Sequence, residues 1–512
     1  MKKSLLLSTA LLVGVGAFAQ TNRMMLKAKL YPKIRPAVSA DGTQGTSTQR
    51  TNGVNSVQTS TLFSNSRNGF GTLVEETNPL HYNEDLNMVA FTQRCATLAS
   101  WPLTGVTPNA ANAQSGYIMT RYSTDNGATW SGVNYYQDNV HWGRYPSGVI
   151  ANAPNNTDPA QANFVAMGPS TGDGTGWFAN FFASVPANAT GNVTSNDQQG
   201  LETGLQNAST FSYFASYNSI ANGRTVWTAA YKNDGGTDLT QNVRGVAVIK
   251  GTPGATASDP YTWTQDSVTF GPFHIMADGR PAATAPKIAF APDGQTGYVL
   301  VNGILASATG ENAKCLQPNL WKTTDAGATW TPVNLSYNWR ANHPEILCNL
   351  IPTLHDEDWG PANEAYPAFF DGHGSGITVD NAGVLHYVTT VVPAYSSHPD
   401  SSFFIFGQYG FSYTQFDDLD KPWIYDFTTS GNGVWDQKII GKLYTRNIED
   451  DDDVPDPAAW TTDGTAPMDY SNRIRISRSD DGSKVLYTWT DSDSASVVSG
   501  TPNTYHPNTS LT

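Results

Sequence analysis

The chain has 512 residues, 39% hydrophobic and only 14% charged, with 46 Gly, 30 Pro and 14 Trp. So few charges, beside abundant Asn, Thr, Ser and Gly, exclude a Lys/Glu-rich helical protein, and an aromatic content of 11% excludes a disordered one. A formal charge of −15 excludes nucleic acid as a partner, because a phosphate backbone needs a basic patch.

The chain opens with Lys2 and Lys3, an apolar run from Leu5 to Val15, and Ala17-Phe18-Ala19 before Gln20. This is the pattern of an export signal with a small-x-small cleavage site. Residues 1–19 are therefore expected to be a signal peptide, and the protein to be exported, whether secreted, periplasmic or at the cell surface. No later segment reaches the roughly 18 uninterrupted apolar residues of a membrane helix, so no transmembrane segment is expected. Residues 20–61 are rich in Ser, Thr and Gln with little periodicity, and read as a flexible leader.

From residue 62 short apolar runs alternate with clusters of Gly, Asn, Asp and Pro. Residues 116–120, 225–230, 245–249, 287–290, 297–301 and 485–489 are strand-length and rich in β-branched or aromatic side chains. Turns such as Ala291-Pro292-Asp293-Gly294, Asp380-Asn381-Ala382-Gly383 and Ser479-Asp480-Asp481-Gly482 separate paired runs. Their glycines supply the positive φ of tight hairpins. Gly172-Asp173-Gly174-Thr175-Gly176 reads as a loop, since no strand–helix frame surrounds it. The fold class is all-β, and hairpin after hairpin means a sandwich array or a propeller. Of the three cysteines, Cys95, Cys315 and Cys348, only Cys315 and Cys348 are considered as a pair, and no spacing matches a zinc or iron–sulfur site.

One string recurs. Ser123-Thr124-Asp125-Asn126-Gly127-Ala128-Thr129-Trp130 returns as Thr323-Thr324-Asp325-Ala326-Gly327-Ala328-Thr329-Trp330. Asp accepts backbone N–H groups inside such a turn, Gly takes a positive φ, and Trp covers the hairpin. The pattern resembles the Asp-box, or bacterial neuraminidase repeat, of sialidase-like β-propellers, and the signal style resembles exported proteins of Bacteroidota. The resemblance implies a hairpin between the outer two strands of a blade, on the face away from an active site. Residues 62–512 are accordingly expected to form one propeller of six or seven four-stranded blades. Residues 86–91 are expected to pair with the last blade and close it, unless the propeller continues beyond residue 512.

The family's catalytic set is an arginine trio for a carboxylate, a Tyr backed by Glu, and an Asp acid/base, with the first arginine in a Phe/Tyr-Arg-Ile-Pro string. The nearest strings are Lys33-Ile34-Arg35-Pro36, Gly143-Arg144-Tyr145-Pro146 and Gly279-Arg280-Pro281. None matches, so no catalytic residue carries over. Glu345, Asp356, Glu357, Asp358 and Glu364 cluster beside Trp339, Trp359 and Tyr366, an acid-plus-aromatic composition suited to sugar; the alternative is a plain acidic loop between blades. His343, His355 and His373 fit no zinc spacing, and His386 reads as a satisfied strand residue. Asp450, Asp451, Asp452, Asp453 and Asp456 form the densest acidic run, a possible Ca²⁺ site without EF-hand spacing; no cofactor is required. The expected function is non-catalytic binding of glycan or an extracellular protein. Its alternatives are glycoside hydrolysis and a purely structural surface module.

Overall fold

The computed structural model describes residues 63–64, 77–95, 116–136, 141–172, 176–193, 211–214, 219–221, 223–233, 243–269, 273–276, 281–350, 366–370, 374–394, 423–442, 473–492 and 505–511. The chain divides into two compact units. One, Met1–Leu62 with Ser412–Leu419, lies outside the described residues together with the expected signal peptide and leader; the other holds everything below.

Six sheets follow one another along the chain. The first is an antiparallel meander of β1 (Leu80–Asn83), β2 (Met88–Arg94), β3 (Ile118–Ser123) and β4 (Ser131–Tyr136). In the second, β5 (His141–Gly143) and β6 (Ser147–Ala151) both flank β7 (Asn163–Gly172), which pairs on its other side with β8 (Gly176–Pro186). A two-residue β9 (Gly191–Asn192) returns to lie parallel to β4. The third sheet sets β10 (Phe211–Phe214) and β11 (Ser219–Ala221) against β12 (Thr225–Asn233), then β13 (Val243–Thr252) and β14 (Thr262–Thr269). The fourth is β15 (Lys287–Phe290), β16 (Gly297–Gly303), β17 (Gln317–Thr323) and β18 (Thr331–Val333). Two short helices follow, α1 (Trp339–Asn342) and α2 (Pro344–Leu350). The fifth sheet places β19 (Tyr366–Phe370) and β20 (Gly376–Val379) on β21 (Leu385–Ala394), then β22 (Trp423–Thr429) and β23 (Asp436–Lys442). The sixth is β24 (Arg475–Arg478), β25 (Val485–Ser492) and β26 (Tyr505–Leu511). Among the described residues no helix is long and apolar enough to cross a membrane.

Packing between consecutive sheets explains why these strands are continuous apolar runs. Side chains alternate across a strand, so a strand sandwiched between two neighbours must be apolar at every position. In β12, Val226 and Ala230 join Val165 and Met167 of the second sheet, while Trp227 and Ala229 join Ile288 and Phe290 of the fourth. In β16, Val299 and Val301 face the third sheet, and Tyr298 and Leu300 face Tyr387 and Phe427 of the fifth. Burying each such side chain contributes roughly 1.5–3 kcal/mol before chain entropy is counted.

The first strands of successive sheets also touch. β1 packs on β6, β11 on β15, β15 on β20 and β20 on β24. A Cβ built on Gly223 would stand 3.4 Å from Pro154, and the Asp480 carboxylate accepts the Glu84 backbone N–H, joining the sixth sheet to the first. The contacts therefore run through all six sheets and return to the start.

Two expectations are corrected. Residues 86–91 do not pair with the last sheet: β2 lies between β1 and β3, because Met88 and Ala90 are needed in the core shared with Phe164 and Phe181. The third strand of the sixth sheet is β26 instead. Cys315 is not half of a disulfide; its thiol lies buried against Gln317 Nε2 and the Pro367 carbonyl. Gly172 and Gly176 pair at the ends of β7 and β8, and residues 173–175 between them lie outside the described residues.

Candidate functional site

In a meander the first–second and third–fourth turns fall at one end and the second–third turns at the other. Both copies of the octapeptide are third–fourth turns, β3 to β4 and β17 to β18, and their hydrogen bonds are nearly identical. Ser123 Oγ donates to Asp125 Oδ1 at 2.7 Å and accepts the Gly127 N–H at 2.9 Å. Asp125 also accepts the Thr129 N–H at 2.8 Å and the Thr129 hydroxyl at 2.6 Å. Thr323, Asp325, Gly327 and Thr329 repeat these contacts at 2.7, 2.9, 2.9 and 2.6 Å. The Thr129 hydroxyl and N–H, then the Ser123 hydroxyl, hold the Asp125 carboxyl at about 2, and Asp325 is held at about 2 by the equivalent groups. Every acceptor site is used inside the turn, so these residues build the hairpin.

The tryptophans do the covering. Trp130 donates to the Gly127 carbonyl at 3.0 Å and stacks on Phe63 at 4.4 Å; Trp330 lies edge-on to Phe290. A third turn of this kind escaped the sequence reading. Between β22 and β23, Thr429 Oγ1 accepts the Gly431 N–H at 3.0 Å and Trp435 is buried. Gly431 stands where the aspartate would be and the turn is one residue shorter, leaving Thr429, Gly433 and Trp435 as the only signal.

The acid-and-aromatic stretch is split. Asp356, Glu357, Asp358, Trp359 and Glu364 lie outside the described residues, as do His355, His373 and Asp450, Asp451, Asp452, Asp453 and Asp456. Glu345 sits in α2 and not in a loop, accepting from His343 Nδ1 at 3.2 Å and from Gln437 Nε2. Trp339 and Tyr366 are core residues, 1% and 2% exposed, so neither offers an open face for sugar. His343 Nε2 lies 3.0 Å from the Tyr337 hydroxyl and 3.1 Å from the Trp435 carbonyl. His386, on β21, contacts Asp426 as a satisfied strand residue.

At the end opposite the repeated turns, β2 finishes at Arg94 and the segment between β5 and β6 carries Arg144 and Tyr145. Arg94 is 4% exposed, whereas Arg144 and Tyr145 are half-buried and reach solvent. Burial, with the charge of Arg144, pushes the Arg94 guanidinium down to about 10, so both groups remain cations at neutral pH and repel each other. The backbone that presents Arg144 is clamped: Gly143 N–H donates to the Gly116 carbonyl at 2.9 Å and Arg144 N–H to the Pro169 carbonyl at 2.8 Å. Tyr145 has φ +41°, a left-handed conformation costly for a bulky side chain. A Cβ at Gly168 would stand 2.6 Å from the Arg144 carbonyl oxygen, so only glycine admits this approach. The strained Tyr145, Arg144 and, at the end of β2, Arg94 lie at one end of the first two sheets, where the sequence offered only the unmatched string Gly143-Arg144-Tyr145-Pro146. Arg94 had no signal at all, being brought there by pairing of β2 with β3.

No family model matches the chain, and no curated protein matches it. Among solved structures, the polysaccharide lyase Uly1 aligns over 85% of this chain and 89% of its own at 9% identity, with a TM-score of 0.40. The GH93 α-L-arabinofuranosidase of Fusarium graminearum, in complex with arabinobiose, aligns over 85% and 93% at 10% identity and a TM-score of 0.35. Trypanosoma rangeli sialidase in complex with sialic acid aligns over 85% and 53% at 10% identity and a TM-score of 0.31.

Proposed function

We propose that the six sheets are the blades of a β-propeller, that the repeated octapeptides are its Asp-boxes, and that the chain is an exported, non-catalytic protein binding a carboxylate-bearing glycan. The apolar layers between consecutive sheets and the Asp480–Glu84 hydrogen bond from the sixth sheet to the first support the blade count, and the identical turns at one end support the boxes. The observation that carries the binding reading is the juxtaposition of Arg94 and Arg144. Planar guanidinium groups match a carboxylate in two parallel hydrogen bonds, and two cations at one end of the sheets draw an anion toward it. The clamped Gly143–Tyr145 backbone keeps this geometry ready before ligand arrives.

Titration calorimetry with sialylated and uronate-bearing oligosaccharides tests this. Acidic glycans should bind at least ten-fold more tightly than their neutral counterparts, and Arg144→Ala should remove that preference while the protein stays folded. Equal affinity for neutral and acidic glycans, or an unaffected Arg144→Ala variant, refutes it. Mass spectrometry of the incubated glycans separates binding from hydrolysis: shortened products make the chain a glycoside hydrolase.

A further inference from the structure

The first strands of the sheets are not equally protected. β6, β15 and β20 are buried at every residue. β1 and β24, in the first and sixth sheets, are not: Leu80 and Tyr82 are 56% and 54% exposed, Ser477 is exposed and Arg475 half-buried. Leu80 and Tyr82 stand opposite Phe91 and Val89, whereas Met88 and Ala90, on the other face of β2, enter the layer shared with the second sheet. In the sixth sheet Ile476 and Tyr487 face Val388 and Ile424 of the fifth, which turns Arg475, Ser477 and Leu486 the opposite way. Each of these two sheets thus leaves bare the face turned away from its packed neighbour.

The Asp480–Glu84 hydrogen bond sets those faces on one seam and holds it at the turn end. Burial raises the Asp480 carboxyl; Arg478 lowers it, and Asp85 and Glu84 raise it. The bond therefore lies among three carboxylates and one guanidinium, an excess of like charge. Such a bond contributes little net, because water replaces it when it breaks. The five other seams each bury an apolar layer among the described residues, which water cannot replace.

We infer that the ring opens and recloses between its sixth and first sheets, with the Asp480–Glu84 hydrogen bond as latch and the surrounding carboxylates as the opening force. This rests on the six sheets forming one ring. Nitroxide labels on Leu80→Cys and Ser483→Cys, both exposed, measure the seam by pulsed electron resonance and leave its charges in place. The full chain carries Cys348→Ser, and Cys95 and Cys315 are buried. A control pair, Gln295→Cys and Ala382→Cys, spans the packed seam of the fourth and fifth sheets. The seam pair should give a near and a far population, the far one falling at least about two-fold in about 1 M salt, where the Debye length is about 3 Å. The control pair should give one population indifferent to salt. Asp480→Asn keeps an acceptor but loses the charge, and should deplete the far population. Asp480→Ala, equally neutral but without the acceptor, should retain more of it than Asp480→Asn. If either variant fails to fold, the salt series decides. One seam population that ignores salt, or equal far populations in the two variants, overturns the inference and leaves the ring standing. Seam labels that are far apart at every salt concentration overturn the ring reading and the inference with it.

Discussion

Asp426 is 2% exposed, and its Oδ2 accepts both His386 Nδ1 at 2.8 Å and the Tyr487 hydroxyl at 2.6 Å, tying the fifth sheet to the sixth. Burial by itself lowers the His386 imidazole. The hydrogen bond and charge of Asp426, joined by Asp380 at 3.7 Å, outweigh it and raise the imidazole above its ordinary 6.5. A histidine raised in the fold contributes fully below about 6.5, and that contribution fades as pH climbs through the folded value. Asp426→Asn should therefore cost on the order of 3 kcal/mol at about pH 6, and less as pH rises. Thermal melts from about pH 5.5 to 8.5 check this; parallel curves for the two proteins would mean that the pair does not titrate with folding. His81, lowered to about 4 by burial, titrates in both proteins and cancels from the difference. The sequence revealed His386 as a strand residue with satisfied contacts. Its partner, 40 positions away, was invisible because cross-strand register leaves no local mark.

The two octapeptide turns share a backbone but not a setting. Gly127 and Gly327 have φ +86° and +81°, where a side chain costs about 1–2 kcal/mol. A Cβ at Gly127 would meet nothing nearer than Trp130 at 3.8 Å, whereas at Gly327 it would stand 2.8 Å from the Trp227 ring, which stacks on Phe290. Gly127→Ala should then lose only about 1–2 kcal/mol, and Gly327→Ala at least about 1 kcal/mol more, measured by urea denaturation. Equal losses would show that the third sheet yields freely around Trp227. Such turns were legible because the hairpin's chemistry is local: Ser or Thr, Asp, Gly, Thr and Trp act within eight residues. The turn at Thr429–Trp435 had lost its aspartate and with it the readable part of the pattern. Strands were equally legible, since burial on both faces writes itself as an unbroken apolar run. Pairing order was not, which is why residues 86–91 were assigned to the wrong sheet.

Among the described residues five apolar layers join consecutive sheets, and the second to fifth sheets each supply a wall to two of them. Removing residues 473–512 would strip Ile474, Val485 and Tyr487 from Val388 and Ile424 and take β24 away from β20. The truncated chain should lose its near-ultraviolet circular dichroism and its cooperative melt; a retained melt at the wild-type midpoint would refute that interdependence. Function was the least legible level. Arg94 and Arg144 are brought to one end by the packing of the first two sheets, 50 positions apart in sequence. The turn end carries Asp85, Asp125, Asp158, Asp259, Asp293, Asp325, Asp380 and Asp481 among its described residues, outnumbering Arg224, Lys322, Arg478 and Lys484 there. An anionic ligand approaching that end is repelled within a Debye length, about 8 Å at physiological salt, and under the proposed reading it binds from the side that carries the arginines. Against a chain of net charge −15 that repulsion acts before contact, so screening it with added salt should raise the association rate of an anionic ligand.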